Sequence, residues 1–229
     1  MPKSVSSRRP QSFRALFWVT LRYSLVLAVI FSFTHIATQF TLVSLLMGTL
    51  DSIGLRPGDL LGSFFMKAIY SVIICEALVF ASILARRRWL VLPITAVVVT
   101  TAAAVVSTYL GRHTAGLFLS RPFDLQQTVQ TALIRGGKYS FLGVGLVGVQ
   151  RLANPKLYHY TGAGIGAAIV NIIITFKFNL ASTPINLSMV LPFDIIFPIG
   201  CALVVWKVTN LTSQLKRTHH EARTLLKNR

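Results

Sequence analysis

The chain has 229 residues, of which 53% are hydrophobic and only 13% charged, and a mean hydropathy of +0.64, whereas a water-soluble domain carries about 25% charged residues. Its 23 Lys and Arg stand against six acids, for a net charge of +17, which in a soluble protein would point to nucleic acid. Here the basic residues cluster in short segments between apolar runs, so no nucleic-acid partner is expected and the composition predicts an all-α, polytopic helical membrane protein.

A basic segment at 1–17 precedes a six-helix transmembrane domain at 18–208, and a basic amphipathic tail follows at 209–229. The first 50 residues contain no acid, and the opening "MPKSVSSRRPQSFR" is rich in Ser and Arg, a composition that also occurs in organelle transit peptides. The apolar stretch behind it is too long for the core of a signal peptide and shows no small-residue cleavage site, so it reads as an anchor that stays.

Six spans are expected, at 18–42, 60–84, 89–110, 127–150, 160–179 and 187–208, since about 20 residues at 1.5 Å each cross a hydrocarbon core of about 30 Å. In the first span His35 and Gln39 lie one turn apart, placed to hydrogen-bond between helices or to line a pathway. The second carries Glu76 and Cys75; with Cys201 in the sixth, the cysteines read as small packing residues.

The fourth span holds the central puzzle. "TALIRGGKYSFLGVGLVGVQRL" is apolar enough to cross a membrane, yet Arg135 and Lys138 sit near its middle. A charge at the bilayer centre costs about 2.5–3.5 kcal/mol even on insertion scales, so both should face the interior and find partners. Only Glu76 and Asp194 lie well inside spans, and counting residues puts Arg135 level with Asp194, and Lys138 within reach of Glu76. Three readings stand open: these four residues bind a solute or a coupling proton; they are structural ion pairs; or 122–135 is an interfacial helix from which Arg135 snorkels. Gly136 and Gly137 allow close approach of backbone or ligand and weaken the helix.

In the fifth span Gly162 and Gly166 form a small-xxx-small pair expected to pack against another helix, and Asn171 is a polar residue placed in a packing face or pathway. "LPFDIIFP" in the sixth brackets Asp194 with Pro192 and Pro198, which free backbone carbonyls as broken transporter helices do. The tail places Leu211, Leu215, Ala222 and Leu225 on one helical face, suited to lie on an anionic membrane surface or to extend the last span.

Fifteen basic residues fall in the first segment, the second and fourth loops and the tail, against Arg56, Arg112 and Arg121 on the other side. The positive-inside rule then puts both termini in the cytoplasm, or its stromal or matrix equivalent. No metal-ligand cluster, no cofactor fingerprint and no hydrolase motif occurs, so an enzyme is not expected.

The stretch Asp124–Gly148, with Gln126–Gln127, Arg135-Gly136-Gly137-Lys138-Tyr139 and the small-residue run Gly143-Val144-Gly145-Leu146-Val147-Gly148, resembles a segment of the RETICULATA-related family of plastid membrane proteins. A later run with Gly166 and Asn171 falls where that family continues with a small-residue span. The likeness covers about a quarter of the chain, and the linker after it is shorter than the family's. It implies a multi-pass protein of the chloroplast envelope that affects leaf development and metabolite supply, with a transport role. Without it, a bacterial or organellar inner membrane is expected.

The expected function is therefore binding or transport of a small anionic or amphoteric solute at Arg135, Lys138, Asp194 and Glu76. The alternative is a membrane scaffold or assembly factor whose glycine faces pack on partner subunits or a second copy, with its basic termini on anionic lipid.

Overall fold

A computed structural model of the chain describes residues 10–47, 57–85, 92–119, 124–177 and 190–227. Its helices are α1 (Pro10–Met47), α2 (Pro57–Ala85), α3 (Leu92–Leu119), α4 (Leu125–Gln150), α5 (Leu157–Lys177) and α6 (Phe197–Lys227), the last entered directly from a π-helical stretch, Leu191–Ile196. No strand occurs among the described residues. Arg56, Arg86 to Arg88, Arg121 and the first basic residues lie outside them.

Every helix but α4 contains a segment long and apolar enough to cross a membrane. The shortfall in α4 comes from its inward face. Thr128, Ala132, Gly136, Lys138, Tyr139 and Gly143 are buried, while Leu125, Val129, Leu133, Phe141 and Val144 are exposed at helical spacing along nearly the whole helix. Past the exposed Gln126, Gln127 and Gln130 of its first turns, the outward stripe is apolar, and Arg135 and Lys138 lower the average over the helix. The helix is continuous through Gly136 and Gly137, so a separate interfacial helix at 122–135 is not what the described residues form. Large apolar side chains cover the outside, with Phe33 73%, Ile94 70% and Ile173 58% exposed; water would not tolerate such a surface, and lipid requires it. The protein is an integral, multi-pass membrane protein.

Packing fixes the direction of each helix. Leu16 and Phe17 of α1 meet Val79 and Ile83 near the end of α2. Ala81 clusters with Ala96 at the start of α3 and Val147 near the end of α4. Gln150 Nε2 donates to Tyr160 Oη at 2.8 Å, and that hydroxyl pairs with Thr209 Oγ1 at 3.2 Å, tying α4, α5 and α6 together. Neighbouring helices therefore alternate in direction, and the first and last helices have their free ends at one end of the bundle, the terminal end. The helix continues to Lys227, so the tail extends α6; Leu211 is half-buried, and the side chains of Leu215, Ala222 and Leu225 lie outside the described residues.

α2 is the central helix, touching α1, α3, α4 and α6. It shares an aromatic layer with its neighbours: Phe31–Phe193 (4.5 Å between ring centroids), Phe31–Phe197 (4.9 Å), Tyr70–Phe197 (5.2 Å), Tyr139–Phe197 (5.4 Å) and Tyr70–Tyr139 (5.7 Å). Such pairs add about 0.5–1.5 kcal/mol each beyond their burial. Cys75 and Cys201, both buried, bring their sulfurs to 3.7 Å between α2 and α6 as free thiols, in the packing role expected of them.

The glycines do not pack where the small-xxx-small spacing suggested. A methyl group at Gly162 or Gly166 would meet nothing within 4 Å, whereas at Gly164, between them, it would lie 2.9 Å from Ile199 Cα and 3.3 Å from Pro198 O. Spacing alone cannot say which face of α5 turns inward; Gly164, Ala167 and Asn171 are buried, and Gly164 is the one of these glycines that meets α6. On α4, a methyl group at Gly136 or Gly143 would lie 2.9 Å from Cγ2 of Thr101 or Thr100 of α3. Thermal unfolding in detergent should separate these positions. Gly164→Ala forces two backbones apart and is expected to cost about 1–3 kcal/mol, while Gly162→Ala and Gly166→Ala gain about 0.5–1 kcal/mol from helix propensity. Equal effects at all three would contradict this packing.

Candidate functional site

The π-helical stretch is a consequence of its prolines. Pro198 has no N–H, so no donor reaches Asp194 O at α-helical spacing or Phe193 O at π spacing. The Phe197 N–H bonds Pro192 O, five residues back, which leaves Phe193 O without a helical donor. Tyr139 supplies one, its hydroxyl donating to Phe193 O at 3.1 Å. The broken helix expected from the prolines is thus a widened turn held by α4, and it turns Asp194 inward to meet α4 and α5.

There Lys138 Nζ lies 2.8 Å from Asp194 Oδ1, with both side chains buried. Thr175 Oγ1 of α5 donates to Asp194 Oδ2 at 2.6 Å and accepts from Lys138 Nζ. This is the one ion pair between two described side chains. Asn171 secures the same level of α4, its amide nitrogen donating to Lys138 O and Ala167 O at 3.2 Å each.

The expected partners are exchanged. Asp194 pairs with Lys138, not with Arg135, because depth was counted at Cα. Helical side chains lean toward the N-terminus, and on α4 that carries the Lys138 ammonium outward, to the level of Asp194. Arg135 has no carboxylate within ion-pair distance among the described residues. Its guanidinium lies 4.7 Å from the ring centre of Phe193 and 5.0 Å from that of Tyr70, a stacked arrangement that suits its planar cation.

Glu76 is not part of this group. It follows Tyr70 by six residues, about 240° round the helix, and faces a cavity of about 30 Å³ formed with Leu16, Phe17, Val79, Phe80 and Ile83 in the terminal half of the bundle. Its Oε1 is buried without a hydrogen-bond partner.

Arg112, placed in an external loop by the sequence, belongs to the site instead. α3 runs on to Leu119, and this extra turn brings the Arg112 guanidinium to Gln127 Oε1 (3.2 Å), Thr128 Oγ1 (3.3 Å) and Thr131 Oγ1 (2.9 Å) of α4. The i, i+4 pair Gln127 and Thr131, with Thr128 beside it, was the available signal for an inward polar face.

These residues surround a half-open cleft of about 390 Å³ at the end of the bundle away from the termini, with Arg112, Arg135, Lys138, Thr131 and Asp194 as its main polar groups and Ile134, Val190 and Phe193 as apolar walls. Three cations and one carboxylate leave a formal charge of +2, and the carboxylate is already engaged by Lys138 and Thr175. The aromatic layer underlies it. His35 lies 6.2 Å from the Phe193 ring, and Gln39 is half-buried one turn on; neither lines the cleft. Among the described residues no group of His, Cys, Asp and Glu could hold a metal ion. Comparison with known protein families, curated proteins and solved structures finds no match to this chain.

Proposed function

We propose that the protein binds a small anion, or the anionic end of an amphoteric metabolite, in the cleft of Arg112, Arg135 and Lys138, and moves it across the membrane. The observation that carries this reading is the excess of positive charge: two half-buried guanidinium groups beside a cavity within a lipid-covered bundle, neither within ion-pair distance of a described carboxylate, with Asp124 acting on Arg112 only from a distance. Charge inside a membrane bundle points to a functional site. Arg135 holds the anion by its free N–H edge while its faces rest on rings. Arg112 receives it nearer the opening, and Lys138, held by Asp194, sets the inner limit. The role is non-enzymatic. With both termini in the cytoplasm or stroma, the cleft opens to the opposite side. The resemblance around Asp124–Gly148 supports a chloroplast-envelope location.

A second reading draws on α5, where Gly162 and Gly166 lie on the exposed face beside Ile165 and Ile169. That face suits a partner helix, as in a scaffold or oligomer.

The test is cysteine accessibility in a background lacking Cys75 and Cys201. Cysteines at 131, 134 and 190 are expected to react with a water-soluble thiol reagent from the side opposite the termini, and phosphate or a dicarboxylate of the right class is expected to protect them. No reaction at any of them means a closed, structural cluster and favours the scaffold.

A further inference from the structure

Beside Phe31 and Phe193 lies a second polar group that the cleft does not use. Lys67 of α2 is 0% exposed. Its ammonium bonds Ser63 Oγ, one turn earlier on the same helix, and lies 6.0 Å from the ring centre of Phe31 on α1. No described carboxylate lies within ion-pair distance of it. One turn from Phe31 on α1, His35 is buried with both ring nitrogens unpartnered, and it is close enough to Lys67 to feel its charge. Ser32 Oγ on α1 and Ser71 Oγ on α2 are also buried without partners. Ser63, Lys67 and Ser71 recur every four residues and so share one face of α2. Phe193 stands between this group and the cleft, in contact with Phe31 on one side and with Arg135 on the other.

A buried ammonium and a neighbouring imidazole without acceptors, with two further orphaned hydroxyls on the same two helices, call for a missing acceptor. An ammonium has three donors, of which one is used here, and an imidazole N–H and two hydroxyls add more. The set is rich in donors and contains no anionic acceptor. We propose that Lys67 and His35, with Ser32, Ser63 and Ser71, form a second anion site in the α1–α2 seam, for a monovalent ion of about chloride size. The complete burial of Lys67 favours a small ion over a larger solute. Phe193 then separates two anion sites, and its ring controls passage between them. This last step rests on the reading of the cleft as an anion site; the chloride site itself does not.

The experiment is thermal unfolding of the purified full chain in detergent at constant ionic strength, with chloride or bromide replaced stepwise by gluconate, a much larger anion. Wild type is expected to show a saturable rise in unfolding midpoint with chloride. Arg135→Gln keeps that rise and Lys67→Met loses it. If Lys67→Met does not fold, Ser63→Ala and His35→Phe are measured instead, each expected to weaken the chloride dependence by about 2–10-fold. No rise in wild type, or an equal rise in the Lys67, Ser63 and His35 variants, overturns the site and leaves Lys67 with Ser63 as its partner. A rise lost in Arg135→Gln but kept in Lys67→Met puts the ion in the cleft and overturns it as well. Loss of solute protection at cysteine 134 with the chloride effect intact would count against the cleft alone.

Discussion

Arg135→Gln is expected to reduce solute binding and flux by at least about 30-fold while leaving an assembled, stable protein. Removing a desolvated charge from its ionic partner costs about 2–5 kcal/mol, and each 1.4 kcal/mol is about tenfold. The stability cost is small because Arg135 neutralises no carboxylate: its neighbours are the ring faces of Tyr70 and Phe193. Losing those contacts costs about 0.5–2 kcal/mol, and glutamine leaves no orphaned charge behind. Arg135→Lys keeps the charge but loses the planar stack and the fork of donors, so it should retain only part of the affinity. Flux into proteoliposomes, measured beside unfolding in detergent, separates the two effects. Normal flux with a large loss of stability would show that Arg135 is structural.

The largest loss of stability is expected at the ion pair. Asp194→Asn leaves the Lys138 ammonium buried beside Thr175 with no carboxylate, and Lys138→Met leaves Asp194 with one hydroxyl donor. Breaking one side of a buried pair costs about 3–5 kcal/mol, and either change also loosens the junction of α4, α5 and the π-helical turn. The double variant removes both charges and should be more stable than the sum of the singles predicts, with a coupling of about 1–3 kcal/mol. Equilibrium unfolding in mixed micelles measures this cycle. Additive, near-neutral effects would mean that cleft water solvates both groups, and would make Asp194 available to a solute or a proton. Arg112→Gln is a useful contrast, since its partners Gln127, Thr128 and Thr131 are neutral and survive its loss without a stranded charge.

Much of the architecture is legible in the order of residues. Apolar runs of about 20 residues require helices in lipid, and few residues other than those of α4 complicate that pattern. Even there, Leu125, Val129, Leu133 and Phe141 announce an outward stripe once the period is applied. Helix direction follows from the number of spans, and the packing of Leu16 on Val79 and of Tyr160 on Thr209 agrees with it. The presence of a polar interior was also legible, because Arg135, Lys138 and Asp194 cannot face hydrocarbon unaided.

What the chain alone determined was thus the class of structure, its number of helices and the need for a buried polar site. Who meets whom was decided only by the tertiary structure. Depth along a helix can be counted from sequence, but partners depend on side-chain lean and on rotation about each helix axis. Those depend in turn on how all neighbours pack. That is why Lys138 rather than Arg135 meets Asp194, why Glu76 turns toward α1, why Gly164 rather than Gly162 and Gly166 touches α6, and why Arg112, an apparent loop residue, completes the cleft. Each is a difference of about one helical turn or of part of a rotation, which the hydrophobic pattern leaves free and close packing does not.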